Sequence, residues 1–204
     1  MFRSVTSIIN LSFNGCSKLK EIDCRHIISL NYGNNTFGNC TNLYKIILSS
    51  CKTIGHTASV NNQRAIFYNC NNLTRLVMPT LENFYAIGQY SGTETKLSMV
   101  DIGNKLSNIA GGNKRLSSTT STVVIRAKSP TSSTNNLICH RLYVPSDAVE
   151  VYKNDSAWSS FASKTYAIGG AEWIAEFGSA DEYANLTEQE YADTYGWLAE
   201  QGQG

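Results

Sequence analysis

Residues 65–79 read Ala65-Ile66-Phe67-Tyr68-Asn69-Cys70-Asn71-Asn72-Leu73-Thr74-Arg75-Leu76-Val77-Met78-Pro79, and the order of apolar side chains in this stretch recurs along the chain. Phe67-x-x-Cys70 has counterparts in Phe13-x-x-Cys16 and Phe37-x-x-Cys40. Each Cys opens the same apolar pattern. The copies run Cys16-x-x-Leu19-x-x-Ile22-x-Cys24, Cys40-x-x-Leu43-x-x-Ile46-x-Leu48 and Cys70-x-x-Leu73-x-x-Leu76-x-Met78. Looser copies follow at Leu97-x-x-Val100-x-Ile102, Val123-x-Ile125 and Cys139-x-x-Leu142-x-Val144-Pro145, and Val5-x-x-Ile8 matches the back half of an earlier one. The aligned positions Ile22, Ile46, Leu76, Val100, Val123 and Leu142 lie 24, 30, 24, 23 and 19 residues apart. Chance does not preserve such an order, and fixed periods of this length mark solenoids.

The physics of one unit is direct. In Leu19-x-x-Ile22-x-Cys24, Ile22 and Cys24 obey the two-residue period of a strand and point inward, while the residues between them face out. One unit cannot bury its apolar face alone, so units stack about 4.8 Å apart into a parallel sheet. The Leu-x-x-Leu-x-Leu core is the leucine-rich-repeat pattern. Its Phe-x-x-Cys variant resembles the BspA-like, or treponemal-type, repeats, which read roughly Ala-Phe-x-x-Cys-x-x-Leu-x-x-Ile-x-Leu-Pro. The resemblance covers about residues 2–145, and Leu142-Tyr143-Val144-Pro145-Ser146-Asp147 with Val151-Tyr152-Lys153, Trp158 and Phe161 looks like the segment that ends such arrays. It implies a leucine-rich-repeat solenoid with one sheet of short parallel strands and an irregular or 3-10 convex side. Ile54-Gly55 and Ile87-Gly88 keep the family's Ile-Gly pair, and the extra length at 55–66 and 85–96 predicts inserted loops.

Three regions follow: a solenoid over 1–145, a C-terminal helical cap over 146–168 and an acidic, aromatic helical tail over 169–204. In the cap, Ser146 or Asp147 is a suitable N-cap, and 148–154 reads as a short helix that buries Val149 and Tyr152. Trp158 and Phe161 are expected to cover the last rung. Beyond Gly169-Gly170, Trp173, Ile174 and Phe177 share a helical face, and Thr187-x-x-Glu190 is a capping box before Tyr191, Tyr195 and Leu198. The tail is either a second cap folded back on the array or a segment for partner docking and self-association.

Charge divides the chain the same way. The 204 residues carry 17 Lys and Arg and 16 acids. All 17 basic residues and 8 acids lie within the first 164 positions, giving +9, and the last 40 carry −8. Such asymmetry suggests two structural units, whether or not they touch. Charged residues make up only 16%, against about 25% in an average domain. Asn, Ser and Thr fill the polar share with 60 positions. No run approaches the roughly 18 apolar residues of a membrane span, and residues 1–10 show no signal peptide. The start within a repeat agrees with a fragment of something longer. Composition excludes a coiled coil and argues against a collagen-like or mainly disordered chain.

Six cysteines are even in number, but three occupy a repeat position. We therefore expect reduced structural thiols stacked in the interior rather than disulfides. His26, His56 and His140 form no zinc spacing with them. There is no Gly-x-Gly-x-x-Gly, Walker loop or Gly-x-Ser-x-Gly. No catalytic residue, metal ligand or cofactor is assigned, and the chain is not expected to be an enzyme.

Function on a solenoid usually sits on its regular sheet. The outward positions are Glu21 and Asp23, Lys45 and Ile47, Arg75 and Val77, Met99 and Asp101, Thr122 and Val124, and Arg141 and Tyr143. If this face binds a ligand, Tyr44, Lys45, Arg75, Arg141 and Tyr143 are the expected binding residues, through charge-assisted hydrogen bonds and aromatic contact. The inserted loops are the other candidates. The resemblance implies a protein-protein or glycan interaction module of a bacterial cell-surface or secreted protein, associated with adhesion. A repeat module with an aromatic helical tail also suits a structural or receptor-binding component of a phage or prophage tail, which would place it in the virion. The +9 solenoid leaves polyanion binding as a weaker reading, and nucleic acid is not the expected partner.

Overall fold

A computed structural model describes residues 6–8, 12–30, 36–55, 66–85, 97–110, 122–134 and 137–178. The helix expected from Thr187 and most of the inserted loops lie outside these residues. The inward positions of the repeat do form consecutive rungs. Strands β1 (Ser7–Ile8), β2 (Glu21–Asp23), β3 (Ser29–Leu30), β4 (Lys45–Ile47), β5 (Thr53–Ile54) and β6 (Arg75–Met78) are followed by β7 (Asn83–Phe84), β8 (Met99–Ile102), β9 (Asn108–Ile109), β10 (Thr122–Ile125) and β11 (Arg141–Val144). In the main wall every pairing is parallel: Ile22 faces Ile46, and Leu76, Val100, Val123 and Leu142 align in turn. Among the described residues no ladder pairing joins β4 to β6, which is where the 30-residue step falls.

The opposite wall differs from the irregular convex side expected. Strands β1, β3, β5, β7 and β9 form a second continuous parallel sheet of two-residue rungs. Its buried column is Leu30, Ile54, Phe84 and Ile109, and its outer column is Ser29, Thr53, Asn83 and Asn108. This sheet runs uninterrupted past the β4–β6 gap and so holds the coils together there.

A third seam runs along the turns. Phe13 and Phe37 rings stack 5.0 Å apart, and Phe37 and Phe67 5.6 Å apart. The residue before each Cys takes a left-handed conformation: Gly15 at φ +79, Asn39 at +59 and Asn69 at +56. Only glycine and asparagine enter that region readily, which explains the residue types. The Asn39 amide donates to Asn14 Oδ1 at 3.3 Å, and the Asn69 amide donates to Asn39 Oδ1 at 3.0 Å. Three residues further along, Asn42 and Asn72 donate to the Ser17 and Thr41 carbonyls of the preceding coil. These asparagines therefore have a structural role.

The cysteines complete the seam. Cys40 Sγ donates to the Phe13 carbonyl at 3.1 Å, and Cys70 Sγ donates to the Phe37 carbonyl at 3.0 Å. All six cysteines are free thiols, with Cys16 exposed and the others buried. Burial pushes the Cys24, Cys51 and Cys139 thiols up to about 12.

After β11 the chain forms a 3-10 turn, Ser146–Ala148, then α1 (Val149–Asn154) and a second 3-10 segment, Ser159–Lys164. Neither Ser146 nor Asp147 caps the helix as expected: no side chain caps either helical start, and the Asp147 carboxylate instead accepts from Lys128. Tyr152, Trp158 and Phe161 join the same buried cluster as the repeats. The Trp158 indole N–H donates to the Thr131 carbonyl at 2.8 Å, and the Tyr152 hydroxyl donates to the Ala127 carbonyl at 3.1 Å. The main wall then gains a rung past residue 145. Strand β12 (Thr165–Ala167) pairs parallel with β11, Leu142 facing Thr165. A turn at Gly169 and Gly170 leads to α2 (Ala171–Phe177).

Coil spacing leaves no slack after β8. A Cβ on Gly103 would stand 1.6 Å from the Pro79 carbonyl oxygen and 2.9 Å from the Pro79 Cα. Gly103→Ala is therefore expected to destabilise the protein by about 3 kcal/mol in urea unfolding, since backbone must move. The buried thiols give a second expectation. Their folded pKa lies above the unfolded value, so the stability they carry is complete below pH ~9 and falls as pH rises towards 12. The slope should approach about 1.4 kcal/mol per pH unit for each of Cys24, Cys51 and Cys139, measured as the urea midpoint against pH.

Candidate functional site

The outer side of the main wall carries all the expected binding positions, and the structure divides it in two. Over β2, β4 and β6 lie Glu21, Asp23, Tyr44, Lys45 and Arg75. Lys45 Nζ lies 3.1 Å from Glu21 Oε2, with the lysine side chain 11% exposed, and the Tyr44 hydroxyl donates to the other Glu21 oxygen. Hydrogen bonds from Tyr44 and Lys45 hold the Glu21 carboxyl below the usual carboxylate range. Asp23 pairs with Arg25 at 2.9 Å. Arg75 is exposed, and among the described residues no carboxylate pairs with it. Ile47 and Val77 project outward between these charges and are nonetheless buried.

Over β8, β10 and β11 the outer face is covered. The sequence reading took Met99, Asp101, Thr122, Val124 and Tyr143 as solvent-facing, but all five are buried. Asp101 is 1% exposed because Arg126 from the next coil grips it with a fork of hydrogen bonds, Nε to Oδ1 at 3.1 Å and Nη2 to Oδ2 at 3.0 Å. The others lie beneath α2. Trp173 meets the Tyr143 ring edge-on at 5.2 Å, and Phe177 meets it at 5.8 Å. Met99, Val124, Tyr143 and Trp173 form an apolar cluster separate from the solenoid interior. Ile174, expected on the same helical face as Trp173 and Phe177, is 47% exposed. Successive helical residues are 100° apart, and the narrow contact stripe admits only Trp173 and Phe177.

The polar anchor of α2 is Glu176. Its carboxylate accepts from Thr122 Oγ1 at 2.7 Å, Arg141 Nη1 at 2.8 Å and the Tyr143 hydroxyl at 2.7 Å. Burial pushes its carboxyl up, but those three hydrogen bonds outweigh burial and hold it below its ordinary value. Two expected site residues, Arg141 and Tyr143, are thus brought together and occupied by the chain's own helix. Tyr44, Lys45 and Arg75 lie apart from them. Glu176 itself was missed by sequence reasoning, although the −8 tail next to a +9 body signalled the contact.

Thiols raised to about 12 are neutral at pH 7 and unreactive. Among the described residues no group of His, Cys, Asp and Glu converges to hold a metal ion, and no helix is long and apolar enough to cross a membrane.

Stacked parallel rungs, a Phe and Cys seam and an outward-facing sheet define a leucine-rich-repeat solenoid, a class of repeat-based interaction modules. The model of the BspA type leucine rich repeat region, in 6 copies, matches residues 1–113, and the chain belongs to that family. No curated protein matches the chain. The parallel ladder itself continues to Ala167, beyond the matched residues, through rungs whose sequence has drifted.

The Glu176 anchor sets a pH dependence. A carboxyl held below its ordinary value of about 4.5 stabilises docking fully above that pH and loses the contribution as pH falls through its folded value. A 19F label on Trp173 should keep its buried signal at pH 7 and move towards an exposed one as pH falls below the ordinary carboxyl value. Glu176→Gln should remove that transition and weaken docking throughout.

Proposed function

We propose that the chain is a non-enzymatic interaction module of a bacterial cell-surface or secreted protein, binding a protein or glycan ligand through the half of its main sheet that α2 leaves open. Membership of the BspA-type family supports the surface assignment. The exposed Arg75, which pairs with no carboxylate among the described residues, beside the Tyr44–Glu21–Lys45 cluster, is the observation that carries the location. Guanidinium and phenol groups on a rigid sheet suit recognition of carboxylates and hydroxyl-rich surfaces, because the strands fix their geometry before the ligand arrives. The loops at 55–66 and 85–96 flank this half in sequence and supply the variable part of recognition.

In the same reading, residues 146–168 serve as the C-terminal cap. Trp158 and Phe161 bury the apolar side of the last coils, which would otherwise lie open, and β12 adds a final rung. The acidic tail from 169 begins with α2 folded back on the array.

The test is a pull-down from host-surface extracts together with a glycan array, comparing the parent chain with Arg75→Glu and with Lys45→Glu/Arg75→Glu. A site centred on these residues predicts at least about a 10-fold loss of binding. Unchanged binding by variants with native unfolding midpoints would move the site from the sheet to the loops.

A further inference from the structure

The half of the main sheet beneath α2 is built as a receptor. Donors from two neighbouring rungs, Thr122 on β10 and Arg141 and Tyr143 on β11, converge on one carboxylate within 2.7–2.8 Å. Beside them Met99, Val124 and the Tyr143 ring make an apolar floor for Trp173 and Phe177. The Tyr143 hydroxyl also lies 3.1 Å from the Glu172 carbonyl, so it reads helix backbone as well as side chain. This cluster shares no buried member with the solenoid interior, and the repeat rows do not depend on it.

The occupant is a separable piece. Helix α2 has seven residues, too few to hold its own conformation in water, so the face beneath it supplies its stability. It is joined to β12 by a tight turn in which Gly170 N–H donates to the Ala167 carbonyl at 3.1 Å and Gly169 sits at φ +73. Its recognition pattern is Trp173-x-x-Glu176-Phe177.

We infer that Met99, Thr122, Val124, Arg141 and Tyr143 form a recognition site for an amphipathic, acidic-aromatic helix, and that the helix it accepts in trans is α2 of a second copy of the chain. Every copy carries a helix of matching shape and charge, and the contacts are the same whether it docks in cis or in trans. The cis helix is favoured only by its tether, equivalent to an effective concentration on the order of mM for a short linker. Whatever loosens the Gly169–Gly170 turn or crowds copies together shifts occupancy to the second copy. This site lies apart from the open half around Arg75 and does not rest on the function proposed for it.

Reciprocal charge exchange in full-length chains tests it. In Glu176→Lys the helix brings an ammonium to Arg141, and in Arg141→Glu two carboxylates meet. Each variant alone should release α2 and sediment as a monomer, with the 19F signal of Trp173 exposed. Mixed in equal amounts, each supplies the complement the other lacks, so the sedimenting mass should double and Trp173 should be reburied. The double variant Glu176→Lys/Arg141→Glu restores the pair in cis and should be a monomer with Trp173 buried. A mixture that stays monomeric with Trp173 exposed, while the double variant docks its helix, overturns the inference. Failure of the double variant to rebury Trp173 overturns the receptor assignment itself.

Discussion

Along the Phe-x-x-Cys seam, the Phe13 and Phe37 carbonyls each bond a cysteine of their own coil and a cysteine of the next. The Phe37 oxygen accepts the Cys40 amide within its own turn and the Cys70 thiol from the next coil. The Phe13 oxygen does the same for Cys16 and Cys40. This arrangement fixes much else. The side chain reaching back must be small, apolar enough to lie in a dry row and able to donate weakly, which is the description of a cysteine thiol. The turn that aims it needs a left-handed residue just before, and Gly15, Asn39 and Asn69 fill that position. The Phe rings then stack, each pair contributing about 0.5–1.5 kcal/mol beyond its buried area. The two sheets on the other walls stack rung over rung in parallel register.

That register makes the outer face of the main wall a row of fixed side chains, and the chain uses the row in two ways. Towards β2, β4 and β6 it leaves charged and phenolic groups facing out. Towards β8, β10 and β11 it covers the wall with α2, whose Glu176 carboxylate satisfies donors from two rungs. A solenoid grows without limit in principle, and its binding area grows with it. Helix α2 takes up the part of that area over β8, β10 and β11.

The fold was legible in the sequence wherever burial repeats. Ile22, Ile46, Leu76, Val100, Val123 and Leu142 occupy equivalent inward positions, and a two-residue period made their direction plain before any coordinates. The second sheet was not legible, because its rungs are two residues long and no period can show in so few. Strand β12 escaped notice because its inward position is Thr165, a polar residue whose hydroxyl is satisfied by the Phe161 carbonyl at 2.8 Å. The outer face was legible in membership and not in exposure. Nothing local to Tyr143 shows that a helix from Glu172 onward lies over it, and nothing local to Asp101 shows that Arg126 closes on it from the next coil. The Asp101 contact spans one coil, 25 positions, and the Thr122–Glu176 contact spans 54, far outside a single repeat step.

The dry Phe and Cys seam is tested most directly by timed alkylation of the native protein with iodoacetamide, followed by mass spectrometry of each cysteine, with a denatured sample as reference. The account predicts that Cys16 is modified quickly, that Cys24, Cys40, Cys51, Cys70 and Cys139 stay protected until the chain unfolds, and that all six react in denaturant. Alkylation of Cys40 and Cys70 as fast as Cys16 in the native protein, or the absence of free thiols after denaturation, would contradict it.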